Sequence, residues 1–489
     1  MYLGIDVGTQ SLKAVVVDQT LVQLGSASVG YQPVFPLPGH AEQDTGLWLA
    51  ALRPAIAGAL QHARIAPAQI AAMAICGQLD GCIPTDRHGN ALGNALIWMD
   101  RRAEASLEAL DPERVHARTG LVRDATHMAG KIAWHQQHFG DLASVAHWHQ
   151  PVSFVVAALT GAAVIDPGLA STTMLLNLET QQWDEELLDT LDIDRSKLPA
   201  IMPTAAIAGS LTARGAGLTG LNVGTPLAVG TGDDFSSPLG SGLCRTGLVG
   251  VSLGTAEVVG ALSTERIIDP RMLVETHLFP TGHFHLGNPG WLSGGAVSWF
   301  MTTFSVNSAA EVSALAAGVP PGSAGLTFIP ALSGAMAPTW VASARGAFYG
   351  ITSAHTKAHF ARALLEGTAF AMRDVVDRLA ELGLDTSILR IVGGGAESDV
   401  WTAIRTDLTG RPAETLVGGD ASATGAALIA ATAAGAFPTL AAASEAVDLR
   451  FRAHDPDPGN RRVYEDAYGR YQRLFASLRP MFDETNGPG

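Results

Sequence analysis

The chain has 489 residues, 47% of them hydrophobic and 16% charged, with a formal net charge of −15. That length supports two or more domains with cores of their own, and the acidic balance excludes nucleic acid as the main partner, because a phosphate backbone is bound by basic surface. Cys76, Cys82 and Cys244 are few and odd in number, so no disulfide framework is expected.

The first predicted elements form a hairpin. Met1–Val7 is a short apolar run, Gly8-Thr9-Gln10-Ser11 a turn, and Ala14–Val17 a return strand. The chain writes this hairpin twice: Leu248–Leu253, Gly254-Thr255 and Val258–Leu262 repeat it, with Gly4 aligned on Gly250. Glycine at such a turn permits close approach of a ligand to bare backbone, and successive N–H groups beside a Thr hydroxyl suit phosphate oxygens. Two such turns facing each other across a cleft would hold one polyphosphate. The copies differ in one position that matters chemically, since Asp6 has Ser252 as its counterpart. An apolar strand rarely carries an Asp for packing, and a single carboxylate there suits Mg²⁺, directly or through water.

Beyond a loop at Pro33–Gly39, Trp48, Leu52, Ile56 and Ala59 fall at helical spacing, with Asp44 or Thr45 as cap. Ile70–Cys76 reads as a buried strand and Ala95–Met99 as a further segment of the same kind; strands alternating with helices predict α/β architecture. Residues 103 to 225 are more helical. Thr225–Gly230 is another strand, and the second hairpin follows closely enough to divide the chain at 242/243 into domains 1–242 and 243–489. In the second half Phe360, Leu364, Ala371, Val375 and Leu379 make a helical face that stops at Gly383, Leu389–Val392 is a strand, and Tyr464, Tyr468, Tyr471, Phe475 and Leu478 form the apolar face of a closing helix. Ala421–Ser444 has no charge, but with Gly425, Gly435 and Pro438 inside it is too weakly apolar to prefer a bilayer. With the first strand starting at residue 2, no leader peptide is expected, and a soluble cytoplasmic protein with no membrane partner is predicted.

Asp233 sits where a buried strand meets a turn of small residues, directly before the second hairpin. A carboxylate there either takes a proton from a hydroxyl that attacks phosphorus or simply caps a helix; Asp234 shares both readings. Gly393-Gly394-Gly395-Ala396 with Ser398 offers bare backbone for an adenine ring, although it is neither G-x-G-x-x-G nor a Walker sequence; Asp420 and Gly425 open the next helix and flank the same pocket or merely begin it. Gln78, Leu79, Asp80, Trp98 and Asp100 follow two strand ends, where α/β sheets bind ligands. The pairs His147/His149 and His283/His285 have no third ligand at zinc spacing and are read as surface or pocket histidines.

Together these residues resemble the FGGY carbohydrate kinases, most closely their xylulokinase group. Gly4–Thr9 resembles the first phosphate motif and Ser252–Thr255 the second; Gly346–Ile351 followed by His359–Glu366 is similar to the C-terminal signature, Gly393–Ala396 to the adenosine motif, and Gly232-Asp233 to the catalytic segment. Lys131 and Trp134 keep the N-terminal signature's spacing, with Met128 where Pro, Ser or Thr is usual. The resemblance implies two ribonuclease-H-like domains of the actin and sugar-kinase superfamily, with ATP and Mg²⁺ in the cleft between them. It implies Asp233 as base, Asp6 with Asp233 at the Mg²⁺, and Gly8, Thr9, Gln10, Ser11, Lys13, Gly254, Thr255, Gly394, Gly395, Ala396 and Ser398 around the nucleotide. The sugar would lie against Gln78, Leu79, Asp80, Trp98, Asp100, Asp233 and Asp234, and a homodimer is expected by analogy.

The departures from the group fall in the sugar pocket. Gly77-Gln78-Leu79-Asp80-Gly81 stands where G-Q-M-H-G is usual, Asp234 where Asn is usual, and Ser333-Gly334-Ala335-Met336-Ala337-Pro338 where S-G-E-R-T-P is usual. Replacing His by Asp exchanges a donor-capable ring for an acceptor, which favours a hydroxyl-donating ligand. The expected activity is phosphorylation of a pentulose such as D-xylulose to its 5-phosphate. The alternatives are another ketose or a polyol of erythritol or pentitol type, or, from a different class, an actin- or chaperone-like ATPase.

Overall fold

A computed structural model of the chain describes residues 1–484. In the first half, β1 (Tyr2–Val7), β2 (Ser11–Val17) and β3 (Gln23–Gly30) form an antiparallel meander, α1 (Thr45–Ala63) follows, and β4 (Ala72–Gly77) pairs parallel with β1. β5 (Ile207–Ser210), β6 (Pro226–Ala228) and β7 (Thr231–Gly232) complete a sheet of order β5-β6-β4-β1-β2-β3, with β7 beside the end of β4. α1 begins where expected, because the Asp44 carboxylate accepts from Gly46 N at 2.8 Å. Its face of Trp48, Leu52, Ile56 and Ala59 is fully buried. Ala95–Met99 is shorter than expected: only Ala95 and Leu96 pair with another strand, and Asp100 N turns back onto Ile97 O.

After α2 (Asp233–Gly240) the second half repeats the plan. β8 (Leu248–Leu253) and β9 (Ala256–Ser263) make the second hairpin, followed by β10 (Glu275–Leu278), β11 (Phe284–Leu292), β12 (Ile388–Val392), β13 (Ala413–Leu416) and β14 (Phe451–His454) in the order β10-β11-β9-β8-β12-β13-β14. β8 pairs antiparallel with β9 and parallel with β12, as β1 does with β2 and β4. The repeated sequence is thus a repeated topology, the second half adding the edge strand β10 and lacking a counterpart of the short β7.

The helices of this half are α3 (Gly294–Phe304), α4 (Ala309–Ala317), α5 (Lys357–Glu381), α6 (Asp399–Thr409), α7 (Ala421–Ala433) and α8 (Arg461–Glu484). α8 lays Tyr464, Tyr468, Tyr471 and Phe475 into the core of its own half. α7 behaves differently. It lies beyond the expected division at 242/243, yet it packs on β1, β4 and α2 of the first half, where Ala423, Ala427 and Leu428 join Tyr2, Val15, Ala72 and Phe235 in one cluster. The backbones touch at Gly4 and Gly425, where a Cβ would overlap the carbonyl oxygens of Ala423 and Ser236. No described helix is long and apolar enough to cross a membrane.

Candidate functional site

The two Gly-Thr turns are built alike. In each, the glycine N–H closes the hairpin, Gly8 N onto Ser11 O at 3.0 Å and Gly254 N onto Ala256 O at 3.1 Å. Those two N–H groups are therefore spent, contrary to the expectation that the glycines themselves would meet phosphate. Among the described residues the following N–H groups, of Thr9 and Thr255, have no protein acceptor and are the ones open to an anion. The Thr9 hydroxyl accepts from Trp98 Nε1 at 3.0 Å, and Gly294 and Gly295 at the start of α3 donate to the carbonyls of Gly254 and Thr255. Gln10 is exposed at the first turn, and Ser11 is half-buried at the start of β2.

Three carboxylates gather beside the first turn. Asp6 is buried on β1, with Oδ1 lacking any partner. Burial first, and then the nearby Asp233 and Asp420, push its carboxyl well above the usual carboxylate range. Asp233 opens α2 as its first helical residue, the cap position being held by Gly232. Burial raises its carboxyl to about 6, against the lowering effect of the helix's own N–H groups. Lys13, expected to face phosphate, is paired with Asp420 at 2.6 Å, and Asp420 also caps α7 by accepting from Ala423 N. Among the described residues no three metal-type side chains converge on one point. The unpartnered oxygen of Asp6 and the mutual repulsion of the carboxylates fit a Mg²⁺ held by one or two of them, with waters and phosphate oxygens supplying the rest.

Next to these carboxylates a small cavity opens between the halves. Leu79, Asp80, Trp98 and Asp234 line it from the first half, Met336 and Trp340 from the second. Burial, then Asp233 and Asp80, raise the Asp234 carboxyl well above its ordinary value. Three expected residues do not line it, Gln78, Asp100 and Asp233, the last lying one position before Asp234, which does. Gln78 is buried and donates to Gln43 Oε1, while Gln43 Nε2 donates to Thr9 O, which braces the first turn from behind. Asp100 is fully buried, its oxygens taken by Ala41 N, Arg102 N and the Arg102 guanidinium. Sequence reasoning missed His127, Glu275 and His277, which also face the cavity. Of the paired histidines, His285 reaches it, whereas His149 is buried against the Ser153 hydroxyl.

A larger groove of about 710 Å³ lies in the second half. Gly254, Thr255, Gly394, Gly395 and Ser398 line it together; Ala396 does not, being packed against the second half's core. The floor missed by sequence reasoning is α4, with Ala310, Ser313, Ala314 and Ala317, and Met301 from α3. Ser313 and Ser398 share a hydroxyl–hydroxyl hydrogen bond of 2.8 Å. Gly425 lies away from this groove in the α7–α2 contact, and Asp420 lies beside Lys13.

Residues 1–240 match the profile of the "FGGY family of carbohydrate kinases, N-terminal domain", and residues 249–434 match the profile of its C-terminal domain. A xylulose kinase of Staphylococcus epidermidis is 28% identical over 486 residues, covering 98% of this chain and 97% of its own. A glycerol kinase of Gloeobacter violaceus is 33% identical over 443 residues, covering 88% and 87%. Among solved structures, a gluconate kinase from Lactobacillus acidophilus superimposes with a TM-score of 0.91 at 25% identity over 99% of each chain.

Proposed function

The chain belongs to the FGGY family of carbohydrate kinases, and on that premise we propose that it transfers the γ-phosphoryl group of ATP to a hydroxyl of a pentulose such as D-xylulose, forming the 5-phosphate. The observation that carries this is Asp233: a carboxylate at the start of α2, next to Asp6 and one position before the cavity-lining Asp234, with burial raising it to about 6. Asp233 takes the proton of the substrate hydroxyl as that oxygen bonds the γ-phosphorus, and the bond from phosphorus to the β–γ bridging oxygen breaks to release ADP. The N–H groups of Thr9 and Thr255 orient the phosphates from the two halves. Trp98, bonded to the Thr9 hydroxyl, couples the sugar cavity to the first turn. Bound through Asp6 and Asp233, Mg²⁺ would supply charge neutralisation at the phosphates. The groove beside Gly394 and Ser398 would take the adenosine. We place the boundary between domains near residue 243 and, by family analogy, expect a cytoplasmic homodimer.

A second reading, a polyol or another ketose as acceptor, is favoured by Asp80, whose Oδ1 is buried in the cavity without a donor. Membership of the kinase family removes the actin- or chaperone-like ATPase. The test is ADP release from Mg-ATP across pentuloses, hexuloses, tetritols, pentitols and glycerol, with Asp233→Ala as the blank. Release above the blank with one compound supports the kinase and names its acceptor; equal release by Asp233→Ala removes Asp233 as the base.

A further inference from the structure

The cavity has a wall supplied by the second half. β10, the edge strand without a counterpart in the first half, is fastened to the first half along its length. Thr276 N donates to Gly120 O at 3.0 Å, Leu278 N to Ser171 Oγ at 3.0 Å, and Val122 N to Glu275 Oε1 at 2.9 Å. This places the buried side chains of Glu275 and His277 at the cavity opposite Asp80. Between them stands His127. Its Nδ1 is 2.9 Å from Thr172 O, its Nε2 is 3.2 Å from Glu275 Oε1, and Asp80 Oδ1 lies 3.5 Å away. Burial opposes a charge on this ring, but Glu275 and Asp80 outweigh it and hold the imidazole well above its usual range. Both ring N–H groups are thereby engaged, so His127 is a cation behind the wall and has no donor left for a ligand.

Two groups at the cavity are left to accept hydrogen bonds. Asp80 Oδ1 and His277 Nδ1 are buried with no hydrogen-bond partner, the His127 ring lying 3.5 Å from Asp80 Oδ1. Burial holds His277 and His285 neutral, and His277 Nε2 faces Glu275 Oε2 at 3.6 Å, which favours the proton on Nε2 and leaves a lone pair on Nδ1. No Lys or Arg lines the cavity among the described residues. The nearest ammonium, Lys131, is turned away and donates to the backbone carbonyls of Asp80 and Thr126. Buried acceptors without donors are costly until a ligand supplies hydroxyls, and a carboxylate brought among Asp80 and Glu275 would meet like charge with no free cation to balance it.

Resting on the kinase reading above, we propose that Glu275 and His277 of the second half, joined through His127 to Asp80 of the first, form an acceptor wall that admits an uncharged polyhydroxy substrate and excludes the sugar acid of the same chain length. Family membership leaves both kinds of acceptor open, since relatives bear the names xylulose, glycerol and gluconate kinase.

The test compares kcat/KM for matched pairs, erythritol with erythronate and xylitol or D-xylulose with xylonate, in the wild-type chain and in Glu275→Gln. Glutamine keeps a carbonyl for Val122 N–H while removing the charge. The wild type should favour the neutral member by roughly 100-fold or more, and Glu275→Gln should narrow that ratio by about tenfold with the KM for ATP unchanged within about twofold. His277→Gln, a second variant on the same wall, should raise the KM of the neutral substrate and leave that of ATP alone. Wild-type turnover of a sugar acid as fast as its neutral partner overturns the proposal while leaving the kinase reading intact, and needs no variant to fold. An unchanged ratio in a folded Glu275→Gln overturns it too. Turnover of no compound, neutral or acidic, overturns the pentulose and polyol acceptors of the proposed function itself.

Discussion

Asp80 stands in the left-handed backbone region with φ of 60°, a conformation that costs a non-glycine residue of order 1–3 kcal/mol. Gln150 Oε1 holds its N–H at 3.0 Å and Lys131 Nζ its carbonyl at 2.7 Å, so the backbone is fixed whatever side chain it carries. Histidine also tolerates that region. Asp80→His should therefore fold, exchange an unpartnered acceptor for a donor-capable ring, and raise kcat/KM for D-xylulose relative to xylitol by about tenfold; an unchanged ranking would show that Asp80 does not read the sugar. A second prediction concerns Asp166, which is fully buried and accepts from Leu169 N and the Thr204 hydroxyl. Burial raises its carboxyl from 3.8 to about 6. The folded state thus binds this proton more tightly than the unfolded chain does, so stability is greatest below pH 4 for this group and is lost as pH rises through 6, a change of roughly 3 kcal/mol. In urea titrations the stability of wild type relative to Asp166→Asn should rise by roughly 3 kcal/mol between pH 7 and pH 4, and a difference independent of pH would show that Asp166 does not hold its proton in the folded state. The turns at Gly8-Thr9, Gly254-Thr255 and Gly232-Asp233 were legible as turns because turn chemistry is local. His127 and Glu275 were not, since 148 positions separate them and only the docking of β10 brings them together. Asp100 misled for the opposite reason, as polarity after a strand does not say whether a carboxylate faces ligand or, as here, its own backbone.

Glycines at element contacts separate packing from ligand room. At Gly425 a Cβ would overlap the Ser236 carbonyl where α7 crosses α2, whereas at Gly394 it would meet nothing within 4 Å. Backbone against backbone cannot yield by rotamer change, so Gly425→Ala should lower stability by about 3 kcal/mol or more. Gly394→Ala should change stability by less than ~0.5 kcal/mol and instead raise the KM for ATP by filling the groove. Urea unfolding and donor kinetics on the two variants check both; equal loss of stability would show that the Gly394 turn is a folding requirement and no ligand surface. α1, α5 and α8 were readable because one apolar face repeats along each. α7 is buried nearly all round, which announces a covered helix while saying nothing of which half covers it.

At the scale of the whole molecule, the repeated hairpin foretold two similar sheets, and their strand orders agree apart from β10 and the short β7. The halves are nevertheless not independent. β1, β2 and β4 present Tyr2, Val15, Val17, Ala72 and Ala74 to a face that Ala423, Ala427, Leu428 and Ala430 of α7 cover, and Arg390 of β12 reaches back to donate to the carbonyls of Ser241 and Gly242. A chain cut at 242 would leave that apolar face in water and lose the helix that closes it, a burden a domain with only several kcal/mol of net stability does not carry. We expect residues 1–242 expressed alone to bind a hydrophobic dye and to show no cooperative urea transition. Co-expression with 243–489 should restore a soluble, cooperatively unfolding complex, because α7 then returns to its place. A soluble fragment 1–242 that unfolds in one sharp transition without binding dye would mean that the first sheet closes its own core, and that α7 is an addition to it. The expected outcome ties the two halves together through the same contact: α7 is capped by Asp420, the partner of Lys13 and a neighbour of Asp6, so the helix that completes the first core also carries the second half's carboxylate to the side of the first Gly-Thr turn.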